Sequence, residues 1–167
     1  ESSRRTKPLS QIIQDTKEGK IKALYMIGSI PLDKKTKTEF LVVQDCYMSE
    51  AAEKADAVFP AATFAETEGT FVNTEGRIQL YSPVIQPVGE AKPDWWILSQ
   101  LAKKRGKRDF DFKKSEDISK GLMKTISAFG RMSLAKARKG KAPFVKDGSK
   151  GTLKFVPINP RDSFPKG

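Results

Sequence analysis

Apolar positions along the first hundred residues switch between two periods. Over Pro8 to Glu18, Leu9, Ile12 and Ile13 fall at helical spacing and Gly19 follows as a stop, which predicts a first helix. Ile21 to Ile27, "IKALYMI", is a short apolar run ending at Gly28 and predicts a buried strand. Phe40 to Val43, "FLVV", ends at Gln44-Asp45 and predicts a second. Ser49 caps a short helix through Ala55, with Glu50 and Glu53 in the turn where the helix dipole favours acids. Ala57 to Pro60 predicts a third strand. Strand, crossover, strand, helix, strand, with strands apolar on both faces, is the grammar of a parallel α/β sheet. The first crossover, Ser29 to Glu39, is short for a full helix.

Beyond Pro60 the pattern weakens. Residues 61–92 read as loop, with one strand expected at Arg77 to Tyr81 and punctuation at Pro83, Pro87 and Gly89. Pro93 stands in the first turn of a helix whose apolar stripe is Ile97, Leu98, Leu101 and Ala102 and which Gly106 ends. A weaker helix is expected over Glu116 to Phe129. From Gly130 to Gly151 the chain is rich in Lys, Gly and Ala and has little period; "TLKFVPINP", Thr152 to Pro160, suggests one strand. This divides the chain into an α/β portion, residues 1–107, and a basic, irregular extension, residues 108–167.

Charge sharpens that division. Residues 1–102 hold 12 Lys/Arg and 14 Asp/Glu, a net of −2; residues 103–167 hold 19 and 6, a net of +13, which together make the +11 of the chain. The single cysteine, Cys46, excludes an internal disulfide and points to a reducing compartment. With no histidine, the usual Cys/His zinc sites, Cys-liganded iron–sulfur sites and Ser-His or Cys-His pairs are all excluded within these 167 residues. No catalytic or metal-ligating residue is therefore assigned. No apolar run approaches the roughly 18 residues of a membrane span. The opening Glu1-Ser2-Ser3-Arg4-Arg5 lacks an initiator methionine and an apolar signal core, and the expectation is a piece of something longer.

In an open parallel sheet, ligands lie beyond the carboxyl ends of the strands. Three such ends stand out: Gly28-Ser29, Gln44-Asp45, and the loop from Ala61 to Glu75. A carboxylate there can accept from a ribose hydroxyl or a purine N–H edge, and a glycine lets backbone approach a phosphate. Thr63, Thr67, Gly69, Thr70, Asn73 and Thr74 add neutral donors and acceptors. The alternative is structural: Asp45 caps the following turn, and Gly69 permits a positive φ.

The stretch "FLVVQDCYMSEAAEKADAVFPAATFAETEGTFVNTEGRIQ", Phe40 to Gln79, resembles the signature region of the molybdopterin oxidoreductase superfamily. That superfamily includes formate dehydrogenases, nitrate reductases and the large iron–sulfur subunit of NADH-quinone oxidoreductase (complex I). The likeness continues upstream through "GKIKALYMIGSIP" and downstream through "VGEAKPDWWILSQLAKKRG", about 100 residues in all. "NTEGR" leans toward complex I and "QDCY" toward nitrate reductases. The resemblance implies a Rossmann-like, mostly parallel sheet flanked by helices that cradles one guanosine of a molybdopterin guanine dinucleotide. Gly28 and Ser29 would meet the nucleotide at the first strand end, and Gln44 and Asp45 at the second. Asp94, in "PDWW", would hold the guanine edge. Gly69, Thr70 and Asn73 would shape the loop, and Thr67 stands where relatives place a lysine.

Two departures bear on that role. The superfamily reads Gly-x-Asn-Pro after the first strand, whereas this chain reads Gly28-Ser29-Ile30-Pro31. Losing a buried polar partner at Ile30 costs on the order of 1–3 kcal/mol. Thr67 removes a cation suited to phosphate. Both changes fit the complex I branch, where the fold survives as a cofactor-free scaffold. The resemblance places iron–sulfur clusters only in an N-terminal part outside these residues, so the chain alone is not expected to catalyse. It is instead expected to serve as part of a cytoplasmic oxidoreductase, among other subunits or domains of a redox complex. The basic extension is expected to face an acidic protein surface. A purely structural interaction subunit is the alternative, and a nucleic-acid-binding module is disfavoured because no such motif accompanies the Lys/Arg runs.

Overall fold

A computed structural model describes residues 7–30, 32, 36, 38–74, 76–126 and 134–139. The first helix, α1, runs Leu9–Lys17, and Gly19, at φ 71°, turns the chain out of it. Three strands follow: β1 (Ala23–Ile27), β2 (Phe40–Asp45) and β3 (Ala57–Pro60), with the single-turn helix α2 (Glu50–Glu53) between the last two. The Ser49 side chain accepts from the Ala52 N–H and caps α2. Both neighbouring pairs are parallel and the order is β1-β2-β3. The α/β class is therefore the one the periodicity predicts. In the β1–β2 crossover, none of the described residues is helical.

Register decides which side chains share a face. Leu24 lies beside Leu41, and Met26 beside Val43. These four face Ala51, Ala52 and Ala55 from the α2 segment and Ile30 and Leu32 from the crossover, forming the main core. The apolar side of α1 (Leu9, Ile12 and Ile13) meets Leu24 and Met26 across a small cavity of about 110 Å³. On the opposite face, Tyr25 and Phe59 stack with ring centroids 6.3 Å apart.

Downstream the structure departs from the sequence pattern in two places. Gly69–Val72, expected as loop, is a strand, β4, paired antiparallel with β5 (Ile78–Tyr81). Gly69 faces Tyr81 across this ladder, and Val72 faces Ile78, so the hairpin supplies backbone partners that local composition does not reveal. The second departure is α5, Leu134–Arg138, inside the stretch that has little period. It forms because Leu134 and Ala137 can bury one short face; Leu134 packs with the buried Ile78, alongside Leu80 and Met123. Between these elements lie α3 (Asp94–Lys104), a 3₁₀ turn at Arg108–Phe110, and α4 (Ser115–Thr125). Pro93 sits at the N-cap of α3, one residue earlier than expected. α4 stops before Phe129, which, like the strand expected at Thr152 to Pro160, lies outside the described residues. α4 and α5 pack on the β4–β5 hairpin.

Candidate functional site

The carboxyl ends of β1 and β2 open side by side, because the parallel register sets Ile27 beside Gln44. Gly28 ends β1 at φ 81°, where its N–H donates to the Gln44 carbonyl at 2.8 Å. A β-carbon at Gly28 would meet nothing within 4 Å, so the space beside this backbone is open. Next to it the Ser29 hydroxyl donates to Asp45 Oδ2 at 2.6 Å. The other oxygen, Oδ1, accepts from the Tyr47 N–H at 3.3 Å. Asp45 thus caps the turn after β2 and also faces β1. Burial works against its charge, but the Ser29 hydroxyl and the backbone N–H groups of Tyr47 and Cys46 outweigh it and hold the carboxyl below the usual aspartate range. Burial, then the negative Asp45 beside it, pushes the Cys46 thiol up, so this sulfur is not an activated thiolate.

Gln44 points to the other face. Its carboxamide is fully buried: Nε2 donates to Asp94 Oδ1 at 2.5 Å, and Oε1 accepts from the Tyr25 hydroxyl at 2.5 Å. Asp94 is the first residue of α3, where the helix dipole favours a carboxylate. Its position is fixed in turn by β3: the Lys92 N–H donates to the Pro60 carbonyl and the Ala62 N–H to the Lys92 carbonyl. Burial, and then the charge of Asp94, raise the Tyr25 phenol, which therefore stays a donor over the whole neutral range. Tyr25 is a candidate-site residue that the periodicity conceals, since an aromatic ring in a strand otherwise reads as core. Its signal is a strand position two residues before Ile27, on the same face of the sheet as Gln44.

Five of the expected residues, Gly28, Ser29, Gln44, Asp45 and Asp94, are thus drawn to one strand-end region. Gly69, Thr70 and Asn73 belong to the β4–β5 hairpin, which is a separate sheet. Asn73 uses its side chain in its own turn, with Oδ1 accepting from the Arg77 N–H at 2.8 Å. The Thr67 hydroxyl donates back to the Thr63 carbonyl at 3.3 Å. Gly69 does not adopt a positive φ; a β-carbon there would stand 2.8 Å from the Tyr81 hydroxyl. Ile30, where the superfamily has a polar residue, packs against the main core. Glu66 is a capping carboxylate. It accepts from the N–H of Thr63 at 2.7 Å and of Val88 at 3.1 Å, and so fastens the two ends of the long loop. Glu68 accepts from the Ser115 hydroxyl, and Glu75 lies outside the described residues. Among the described residues no cluster of potential ligands could hold a metal ion, and no helix is long and apolar enough to cross a membrane.

A three-stranded parallel sheet flanked by helices, with carboxylates and an open glycine at its strand ends, defines an α/β protein. Comparison with known proteins places it further. Residues 3–104 match the molybdopterin oxidoreductase family, and the chain belongs to that family. It is 43% identical over 120 residues to the alpha subunit of an F420-dependent formate dehydrogenase of Methanocaldococcus jannaschii, covering 65% of this chain and 18% of the relative. It is 33% identical over 133 residues to a putative formate dehydrogenase of Bacillus subtilis, covering 74% of this chain and 14% of the relative. An NADPH-Fe(3+) oxidoreductase alpha subunit of Geobacter sulfurreducens is 39% identical over 105 residues, with 57% and 12% covered. The chain therefore spans less than a fifth of the length of each of these relatives. Among solved structures, acetylene hydratase from Pelobacter acetylenicus is similar in fold, with a TM-score of 0.50 and 21% identity over 65% of this chain and 15% of that one.

Proposed function

We propose that this chain is the part of a formate dehydrogenase-like oxidoreductase subunit that holds the guanosine half of a molybdopterin guanine dinucleotide. The observation that carries the reading is the strand-end set of Ser29–Asp45 and Gln44–Asp94, with the open Gly28 beside it. A carboxylate has two acceptor oxygens, and the guanine edge offers N1–H and an exocyclic amine. One oxygen of Asp94 takes the Gln44 amide, and the other would accept from guanine. Asp45, held charged, would accept from a ribose hydroxyl, and the Gly28 backbone would let the sugar approach. Gly69, Thr70 and Asn73 would wall the loop side, and Thr67, whose hydroxyl proton goes to the Thr63 carbonyl, would offer the nucleotide only an acceptor oxygen. The bound cofactor supplies the electron-transfer chemistry; these residues bind and orient its nucleotide end. The subunit would work in the cytoplasm among other subunits of a redox complex, its clusters held elsewhere in the assembly. The basic extension, residues 108–167, would face an acidic protein surface.

One second reading has its own observation. Ile30 is committed to the core and Thr67 turns back on Thr63, so neither serves a phosphate. These features favour a cofactor-free scaffold of the complex I kind. Titrating the full chain with GDP, with calorimetric and tryptophan-fluorescence readouts, separates the two. The first reading expects saturable binding that weakens at least tenfold in Asp45→Ala and in Asp94→Ala, with circular dichroism unchanged. Absence of binding at millimolar GDP in the folded chain leaves the scaffold reading standing.

A further inference from the structure

Beyond the carboxyl end of β3 the chain builds a second concave surface, away from the Ser29–Asp45 pair. Lys92 forms a single parallel bridge with Ala61, and its N–H donates to the Pro60 carbonyl. Pro93 then starts α3. Between β3 and this helix lies a groove of about 450 Å³, within the size range of small-molecule sites. Its walls are mainly Phe59, Pro60, Trp96, Ile97 and Leu101. Ile97 is buried, whereas Trp96 is 38% exposed, so the indole serves as a wall open to solvent rather than as core.

Trp96, Gln100 and Lys104 follow one another at i+4 along the groove. At ~1.5 Å per residue this row is about 12 Å long. Its two ends differ in charge. At the Trp96 end, the Lys92 ammonium lies 6.0 Å from the ring centroid, and Glu90, two residues earlier, is the one carboxylate in the lining. At the other end Lys104 makes no ion pair among the described residues, nor do the following Arg105, Lys107 and Arg108. Of the acids nearby, Asp111 is taken by Lys103 and Lys113, which leaves Asp109. The groove is therefore apolar along its length and positive at the Lys104 end.

That profile selects a ligand class. A nucleobase would bury a polar edge against a lining whose only amide side chain is Gln100, and unmatched polar groups are costly to bury. A linear acyl chain needs no polar partner, and a straight row along a helix suits its shape. A lysine can lay its methylene stem on apolar surface and keep its ammonium in water. We infer that the groove between β3 and α3 binds an acyl chain with an anionic head, the chain lying on Phe59, Trp96 and Leu101 and the head meeting Lys104. Burial of the chain supplies most of the affinity; the exposed ammonium orients the ligand and selects its charge. The inference does not rest on the guanosine reading, whose residues lie at the ends of β1 and β2 and at Asp94.

Titration of the full chain with decanoate and with decyl phosphate, both below their micelle concentrations, tests it. Calorimetry gives the affinity, and the Trp96 indole resonance gives the place. Saturable one-site binding is expected for both anions, with the Trp96 signal moving. Decanol and decyltrimethylammonium should bind at least tenfold more weakly. Lys104→Met, at an exposed position, should weaken the anions at least fivefold and leave decanol unchanged. Gln100→Trp should fill the groove and abolish binding, with circular dichroism unaltered. Equal affinity for the neutral and cationic amphiphiles, indifference to Lys104→Met, unchanged binding in a folded Gln100→Trp chain, a Trp96 resonance that stays put, or no saturation would each overturn the inference. GDP is titrated separately, so the guanosine reading and this one fail independently.

Discussion

The buried carboxamide of Gln44 donates to Asp94 Oδ1 at 2.5 Å, tying the carboxyl end of β2 to the first residue of α3 across fifty positions of chain. One side chain thereby sets the distance between a strand end and a helix N-terminus. With the Tyr25 hydroxyl donating to Oε1, both ends of the Gln44 carboxamide are engaged.

Replacing Gln44 by Glu tests that tie. The new carboxyl would sit in a fully buried position facing the Asp94 carboxylate. Burial and like charge both raise its folded-state pKa above the unfolded value near 4.3. A raised carboxyl destabilises the fold as pH climbs past the unfolded value. Gln44→Glu should therefore unfold at nearly the wild-type temperature around pH 4 and at a clearly lower one at pH 7. A parallel shift at both pH values in thermal melts would refute the tie.

The Ser29–Asp45 pair has the opposite sign. Asp45 is held below its ordinary range, so its contribution is fully present above about pH 4 and disappears as pH falls through the lowered folded value. Ser29→Ala removes one donor to a charged acceptor and should cost about 1.5–3 kcal/mol at pH 7. The loss should shrink toward zero near pH 2. Chemical denaturation across that range, or carbon-13 titration of the Asp45 carboxyl, reads the change directly; a pH-independent loss would mean that the hydroxyl serves packing alone.

Much of this site is written in local pattern. The apolar runs ending at Gly28 and at Gln44-Asp45 locate two strand ends, and the register that joins them follows from parallel pairing. The approach of Asp94 was legible only through resemblance, because no periodicity reports a contact between residues fifty apart. Strand β4 was hidden for a different reason. "GTFV" has only two large apolar residues, both exposed, and its stability comes from its ladder with β5 and from α4 behind it. The short α5 buries only Leu134 and Ala137, too little to register as amphipathic before the hairpin is in place.

Gly69 makes the hairpin dependence measurable. An added β-carbon would stand 2.8 Å from Tyr81 Oη and 3.0 Å from Cζ, so the ring has to move. Gly69→Ala should cost about 1–2 kcal/mol, in the range of modest overpacking. In a Tyr81→Ala background the same change should cost little, because the obstructing ring is gone. The coupling energy from the four denaturation curves decides the matter, and additive losses would place the cost elsewhere.

Glu66 supplies the last test, on the long loop between β3 and α3. Its two oxygens accept from Thr63 and Val88, and the backbone N–H of Thr63, followed by burial acting in the opposite sense, sets its carboxyl below the ordinary range. The loop ends should therefore be held together above about pH 4.5 and loosen as pH falls through the lowered value. Glu66→Ala should remove both acceptors at once: amide exchange at Thr63 and Val88 should rise at least tenfold, and a protease should cut within residues 61–92 sooner. Glu66→Gln retains one carbonyl acceptor and should fall between wild type and Ala. Equal protection in all three chains would show that the loop is held by its apolar contacts and that the carboxylate is incidental.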